Sequence, residues 1–230
     1  MHQDQQRDDG QAYTTLLQEA TSGLHYLQRA AAGPARARLL LLHGVGGNET
    51  NLIAVANQID PRVEVQLLRA PLSFGPGQHA WFPVSFTSSG PQIDEALAER
   101  SRRALIDFVR AQSPTLPTVI AGFSQGGIMS ASVGLSAPDV VSGFSILSGR
   151  ILPELAPHIA SSAALANVQG FIGHGRFDDK LPLAWAERAQ AWLEELGVKH
   201  LTKIYSCGHT LPAEEVADFK QWLTAPLMLD

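Results

Sequence analysis

The chain has 230 residues, 45% of them hydrophobic and 17% charged, with 22 acidic against 17 basic side chains and a net charge of −5. This is enough apolar material for one sizeable α/β-type core, and the acidic balance without any Lys/Arg run argues against a nucleic-acid partner. No run of about 18 apolar residues offers stable membrane insertion, and the polar start Met1–Gly10 and the lone Cys207 favour the cytoplasm over a secretory route.

Residues 1–10 read as a disordered tail, and 11–230 as a single domain without repeat or linker. Residues 11–21 suggest a short helical turn, and Leu24–Arg29 a short edge strand closed by the turn at Ala32-Gly33-Pro34. The mildly basic Arg36–Arg38 reads as a solvated strand edge. Ala37–Leu42 is almost wholly apolar, as a strand buried on both faces should be. The glycine-rich His43–Asn48 follows, then a helix over 50–58 and a strand over Val63–Leu68. Leu72–Pro91, rich in Gly, Pro, Ser and aromatics, reads as a long irregular loop, its aromatics facing a ligand or packing the loop down. A helix is expected over 92–112, a strand over 117–122, a helix over 125–135, and strands over Val141–Leu147 and Val168–Ile172. A helix over Leu183–Leu196 closes at Gly197. Leu201–Tyr205 is the last strand and 212–223 the last helix. Such alternation implies an α/β fold: a mostly parallel sheet covered by helices on both faces.

The strand over 117–122 runs into Gly122-Phe123-Ser124-Gln125-Gly126-Gly127. A serine flanked by glycines two residues either side, between an apolar strand and a helix, is the nucleophile-elbow pattern, in which a tight turn lifts the hydroxyl clear of the sheet. Serine needs a base, and the base an orienting acid. Of the eight histidines, only His209 follows both the last strand and a carboxylate-bearing loop. Asp178 and Asp179 both lie beyond the strand ending near Ile172, and the pattern alone leaves either as the acid. In the order Ser, Asp, His, each candidate sits just past a strand, where open α/β sheets gather ligands.

Charge developing on a substrate oxygen calls for backbone N–H donors. Gln125, after the candidate nucleophile, and Val45, in the loop after an early strand, are placed to supply them. The spacing of His43–Asn48 fits neither nucleotide-binding glycine pattern. His-Glu-x-x-His is absent, and Cys207 lacks an elbow, so no metal, cofactor or cysteine nucleophile is expected. Leu72, Phe74, Trp81 and Phe82 are the candidate substrate-contacting residues.

Taken together, Leu42–Asn48, Arg69-Ala70-Pro71, Ala80-Trp81-Phe82, Gly122–Gly127, His174-Gly175 through Asp178 to Pro182, and Gly208-His209 resemble the phospholipase/carboxylesterase family of α/β-hydrolases. That group includes small bacterial carboxylesterases and acyl-protein thioesterases. The resemblance implies an α/β-hydrolase fold without a large cap domain, no metal, and often a homodimer. It favours Asp178 as the acid, since the family's acid is the fourth residue after the histidine of the His-Gly pair. It implies a serine esterase acting on small-molecule esters, or on thioesters or lysophospholipids through the same triad; a pocket lined by Leu72, Phe74, Trp81 and Phe82 suggests short to medium acyl chains. A non-catalytic binding protein on the same fold is the contrasting expectation. The segment Leu72–His79 departs from the family's usual pattern.

Overall fold

The computed structural model describes residues 12–87 and 90–229; the expected disordered tail lies outside the described residues. The strands are β1 (Leu17–Gln18), β2 (His25–Arg29), β3 (Ala37–Leu42), β4 (Val63–Arg69), β5 (Leu72–Gly75), β6 (Gln78–Ala80), β7 (Val84–Thr87), β8 (Gly90–Ile93), β9 (Thr118–Phe123), β10 (Gly143–Leu147), β11 (Gln169–Gly175) and β12 (Lys199–Tyr205). The α-helices are α1 (Ile53–Ala56), α2 (Glu95–Arg110), α3 (Gln125–Ser136), α4 (Ser162–Leu165), α5 (Ala184–Glu195) and α6 (Ala213–Leu223), and Pro153–His158 forms a 3₁₀ helix. Among the described residues, no helix is long and apolar enough to cross a membrane.

Eight strands form one sheet in the order β1-β2-β4-β3-β9-β10-β11-β12. β1 with β2 and β2 with β4 are antiparallel, and the remaining pairs are parallel. Side-chain alternation divides the core into two layers. Leu40 and Leu42 of β3 and Ile120 of β9 pack with α2, α3 and α5, while Leu39, Leu41, Val119 and Ala121 pack with α1 and α6. A continuous apolar run in β3 is therefore the signature of a strand with helices on both sides.

Several expectations need correction. The stretch expected as a helical turn instead adds β1 to the sheet, and Tyr13 bridges Arg29. An isolated helical turn closes few backbone hydrogen bonds, whereas β2 offers a ready ladder, and the Glu19 carboxylate accepts from the amides of Thr21 and Ser22 at 2.8 and 2.6 Å to turn the chain. β2 thus lies one place in from the edge. Arg38 is buried and paired with Glu64 at 2.8 Å rather than solvated. The expected loop after β4 is two hairpins, β5–β6 and β7–β8. The tight turn between β5 and β6 places Gly77 at φ +67°, a conformation natural to glycine. α2 starts one turn later than expected, where the Asp94 carboxylate caps the amide of Leu97 at 3.0 Å.

Candidate active site

The elbow is built from backbone proximity. Ser124 has φ 54° and ψ −118°, outside the ordinary helical and strand regions. A side chain at Gly122 would collide with the backbone of Gly126, and one at Gly126 with the carbonyl of Leu42. Glycine is therefore required at both positions for α3 to start against the sheet. The Ser124 amide donates to the Leu147 carbonyl at 2.8 Å, which ties the turn to the next strand.

His209 and Asp178 converge on this turn from separate loops. Ser124 Oγ donates to His209 Nε2 at 3.0 Å, and His209 Nδ1 donates to Asp178 Oδ2 at 2.7 Å. Phe123 packs beside the imidazole with ring centroids 4.8 Å apart. The other Asp178 oxygen accepts from the amides of Lys180 at 2.9 Å and Leu181 at 2.8 Å. Burial raises the proton affinity of Asp178, but those amides and His209 outweigh it, and its pKa lies below the ordinary carboxylate range. Asp179 instead faces solvent, paired with Lys180 Nζ at 3.2 Å. His174, fully buried, donates from Nε2 to the Leu181 carbonyl at 2.7 Å and braces the loop that carries Asp178. Cys207 is a poor nucleophile here: burial and the nearby Glu215, Glu214 and Asp178 charges push its thiol pKa up.

Val45 and Gln125 flank Ser124. A Cβ on Gly44 would lie 3.2 Å from that of Ser124, so the loop after β3 is in contact with the elbow. Among the described residues, the amides of Val45 and Gln125 donate to no protein acceptor. His43 fixes this loop. Its Nδ1 donates to the Gly44 carbonyl at 2.7 Å, while its Nε2 accepts from the Ala70 amide at 3.1 Å. An accepting Nε2 requires neutral imidazole, and burial holds the His43 pKa down to about 4. The β5–β6 hairpin adds a two-bond bridge: Gly46 N–H to the His79 carbonyl and His79 N–H to the Gly47 carbonyl, both at 2.9 Å.

A cavity of about 400 Å³ opens beside Ser124, with Phe82, Val84, Ile93, Ile128 and Leu181 among its walls. Of the four candidate contact residues, the structure brings only Phe82 to it. Leu72 is half-buried in a different depression beside α2, and Phe74 is 58% exposed on the hairpin. Trp81 is fully buried beneath the site. Its backbone amide donates to Gln125 Oε1 at 2.8 Å, and its ring N–H donates to the His43 carbonyl at 2.9 Å. The Gln125 amide group continues the network by donating to the Phe82 carbonyl at 2.7 Å. A loop tryptophan gives no sign in the sequence of which way it points, and of the two expectations for the loop aromatics Trp81 follows the one that packs the loop down. Arg150, absent from the candidate residues, also lines the cavity; its position just past the end of β10 is the available signal. Among the described residues, no group of three or more His, Cys, Asp or Glu side chains gathers as a metal ion would need.

The sequence matches the phospholipase/carboxylesterase family over residues 29–227. The chain belongs to this family. It is accordingly a hydrolase on an α/β-hydrolase scaffold. Among phospholipase/carboxylesterase relatives, the chain is 25% identical over 219 residues to acyl-protein thioesterase 1 of Kluyveromyces lactis, covering 86% of this chain and 95% of the relative. It is 27% identical over 193 residues to the esterase YpfH of Escherichia coli K12, covering 75% of each. The carboxylesterase structure from Mesorhizobium loti superposes with a TM-score of 0.77 at 22% identity, covering 92% of this chain and 99% of that one, a likeness of fold.

Proposed function

We propose that this hydrolase cleaves carboxylic esters through an acyl-enzyme formed on Ser124. The observation that carries the reading is the pair of short contacts, Ser124 to His209 at 3.0 Å and His209 to Asp178 at 2.7 Å, at the floor of an open cavity. Asp178 accepts from Nδ1–H, which leaves the Nε2 lone pair facing the serine hydroxyl. His209 takes the hydroxyl proton as Ser124 attacks the ester carbonyl, and Asp178 stabilises the imidazolium that forms. The Val45 and Gln125 amides receive the oxyanion. His209 then protonates the leaving alkoxide, and water, activated by the same imidazole, releases the acid. A cavity of about 400 Å³ suits short to medium acyl chains.

Thioester cleavage uses the same groups, and the Kluyveromyces lactis relative carries the thioesterase name. A binding protein without catalysis has no need of three aligned triad members beside free amides. The test is reaction with a fluorophosphonate probe, followed by kcat/KM for p-nitrophenyl esters and acyl thioesters with the parent and Ser124→Ala. Labelling is expected at Ser124 alone, with ester turnover lost in the variant. Retention of activity within tenfold of the parent sinks the assignment.

A further inference from the structure

Apart from Ser124, Gln125 and His209, the side chains that line the cavity are apolar or cationic. Arg150 and Lys180 line it, and no acidic side chain does. Lys180 is exposed and has Asp179 at 3.2 Å. Arg150 differs. It is only 6% exposed, and its guanidinium carbon lies 4.6 Å from the Trp185 ring centroid. Arg188 lies over the same indole at 4.9 Å, adding a second cation. Among the described residues, Arg150 has no ion pair and no hydrogen bond. Glu154 is the carboxylate whose field reaches it, but from outside ion-pair distance, in the neighbouring depression beside α2.

A guanidinium out of bulk water and without an anion is costly to maintain, and burial lowers the proton affinity of this one. Gly149, the residue before Arg150, abuts the Ser124 carbonyl, where an added Cβ would lie 3.1 Å from that oxygen. Arg150 therefore leaves the backbone right behind the elbow, with its side chain held against indole and its five N–H donors uncommitted.

We infer that Arg150 is a carboxylate subsite, and that the substrates of this enzyme are esters bearing a carboxylate beyond the scissile bond. The stacked guanidinium offers a planar, bidentate match for that group, and the apolar walls hold the carbons between it and the scissile carbonyl. The inference rests on the reading of Ser124 as nucleophile, but its binding component can be measured without turnover.

The experiment compares charged with neutral esters of equal length: mono-p-nitrophenyl succinate, glutarate and adipate against butyrate, valerate and hexanoate. A second arm compares 4-carboxyphenyl acetate with phenyl acetate, which places the carboxylate on the leaving group. Rates are normalised to hydroxide hydrolysis. The parent is expected to favour the charged ester in one arm, and Arg150→Met is expected to lower that charged-to-neutral ratio by tenfold or more. Arg150→Lys, which keeps charge but not the planar fork, is expected to recover part of it. Should Arg150→Met fail to fold, the parent's own ratios decide: a neutral preference in both arms overturns the subsite. A parent ratio above one that Arg150→Met leaves unchanged overturns it too. Independently, glutarate is expected to slow fluorophosphonate labelling of the parent more than the uncharged glutaramide does. If no ester is turned over, the nucleophile reading fails, and glutarate protection, measured as binding by calorimetry, still upholds or overturns the subsite.

Discussion

The indole N–H of Trp81 donates to the carbonyl of His43 at 2.9 Å, while the Trp81 amide holds the side chain of Gln125 at 2.8 Å. One buried residue therefore ties together the two segments that carry the proposed oxyanion donors, Val45 and Gln125. Trp81→Phe keeps most of the ring and removes the ring donor, leaving the His43 carbonyl without its partner. An orphaned buried acceptor costs about 1–3 kcal/mol, and if that cost appears in the barrier, kcat falls roughly ten- to hundredfold. The loss is expected to be uniform across acetyl, butyryl, octanoyl and dodecanoyl esters, because Trp81 does not line the cavity. A shifted chain-length optimum in that series contradicts the assignment of Trp81 as a support.

The two adjacent carboxylates are expected to separate cleanly. Asp178→Asn leaves His209 free to adopt the wrong tautomer and lowers kcat by on the order of 10⁴. Asp179→Asn removes only a surface partner of Lys180 and changes kcat less than about threefold. Steady-state kinetics on both variants, at matched circular dichroism, is the check.

Acyl selectivity is expected to answer to Phe82 rather than Phe74. Phe82 forms a wall of the cavity, whereas Phe74 stands 58% exposed on the β5–β6 hairpin. Phe82→Ala enlarges the pocket and moves the optimum toward longer chains, each methylene being worth roughly 1–3 kcal/mol in an apolar site. Phe74→Ala leaves the ratio of long- to short-chain kcat/KM unchanged. The same ester series measures both.

Glu215 supplies a pH prediction. Its side chain is fully buried in α6, against Gly173, and burial with help from Glu214 pushes its pKa up to about 8 from an ordinary 4.5. The folded state therefore binds this proton more tightly than the unfolded chain does. The contribution to stability is fully present below about pH 4.5 and is lost as pH rises toward 8. Glu215→Gln removes that dependence. The variant is expected to melt higher than the parent at pH 9, with a difference on the order of a few kcal/mol that shrinks as pH falls to 6. Thermal melts across that range decide it; a difference independent of pH rules out a raised carboxyl.

Much of this arrangement was legible in the sequence because it is written locally. Gly122 and Gly126 mark the elbow around Ser124 through backbone crowding that a side chain would not fit, and the apolar runs of β3 and β9 announce a sheet buried on both faces. The register that brings Asp178 and His209 to the same spot follows from two loops at the same end of a parallel sheet. What stayed hidden depends on contacts distant in sequence. β1 exists because β2 offers it a ladder. The hairpins after β4 carry too few alternating residues to stand out from a loop. Trp81 and Arg150 have residue types that suit several roles, and only their neighbours, His43 and Gln125 for one and Trp185 for the other, settle where the side chains lie.

The amide of Leu181 holds the Asp178 carboxylate at 2.8 Å, and the same residue is part of the cavity wall. The cavity is therefore unequal in its tolerance of change. On the side of Leu181, a substitution that reshapes the pocket also disturbs the hinge on which the acid hangs, so specificity and rate are altered together. Elsewhere in the wall, Val84 and Ile93 belong to the β7–β8 hairpin, which pairs with itself and not with the main sheet. New substrate preferences can arise there by change in a hairpin that makes none of the hydrogen bonds of Ser124, His209 and Asp178.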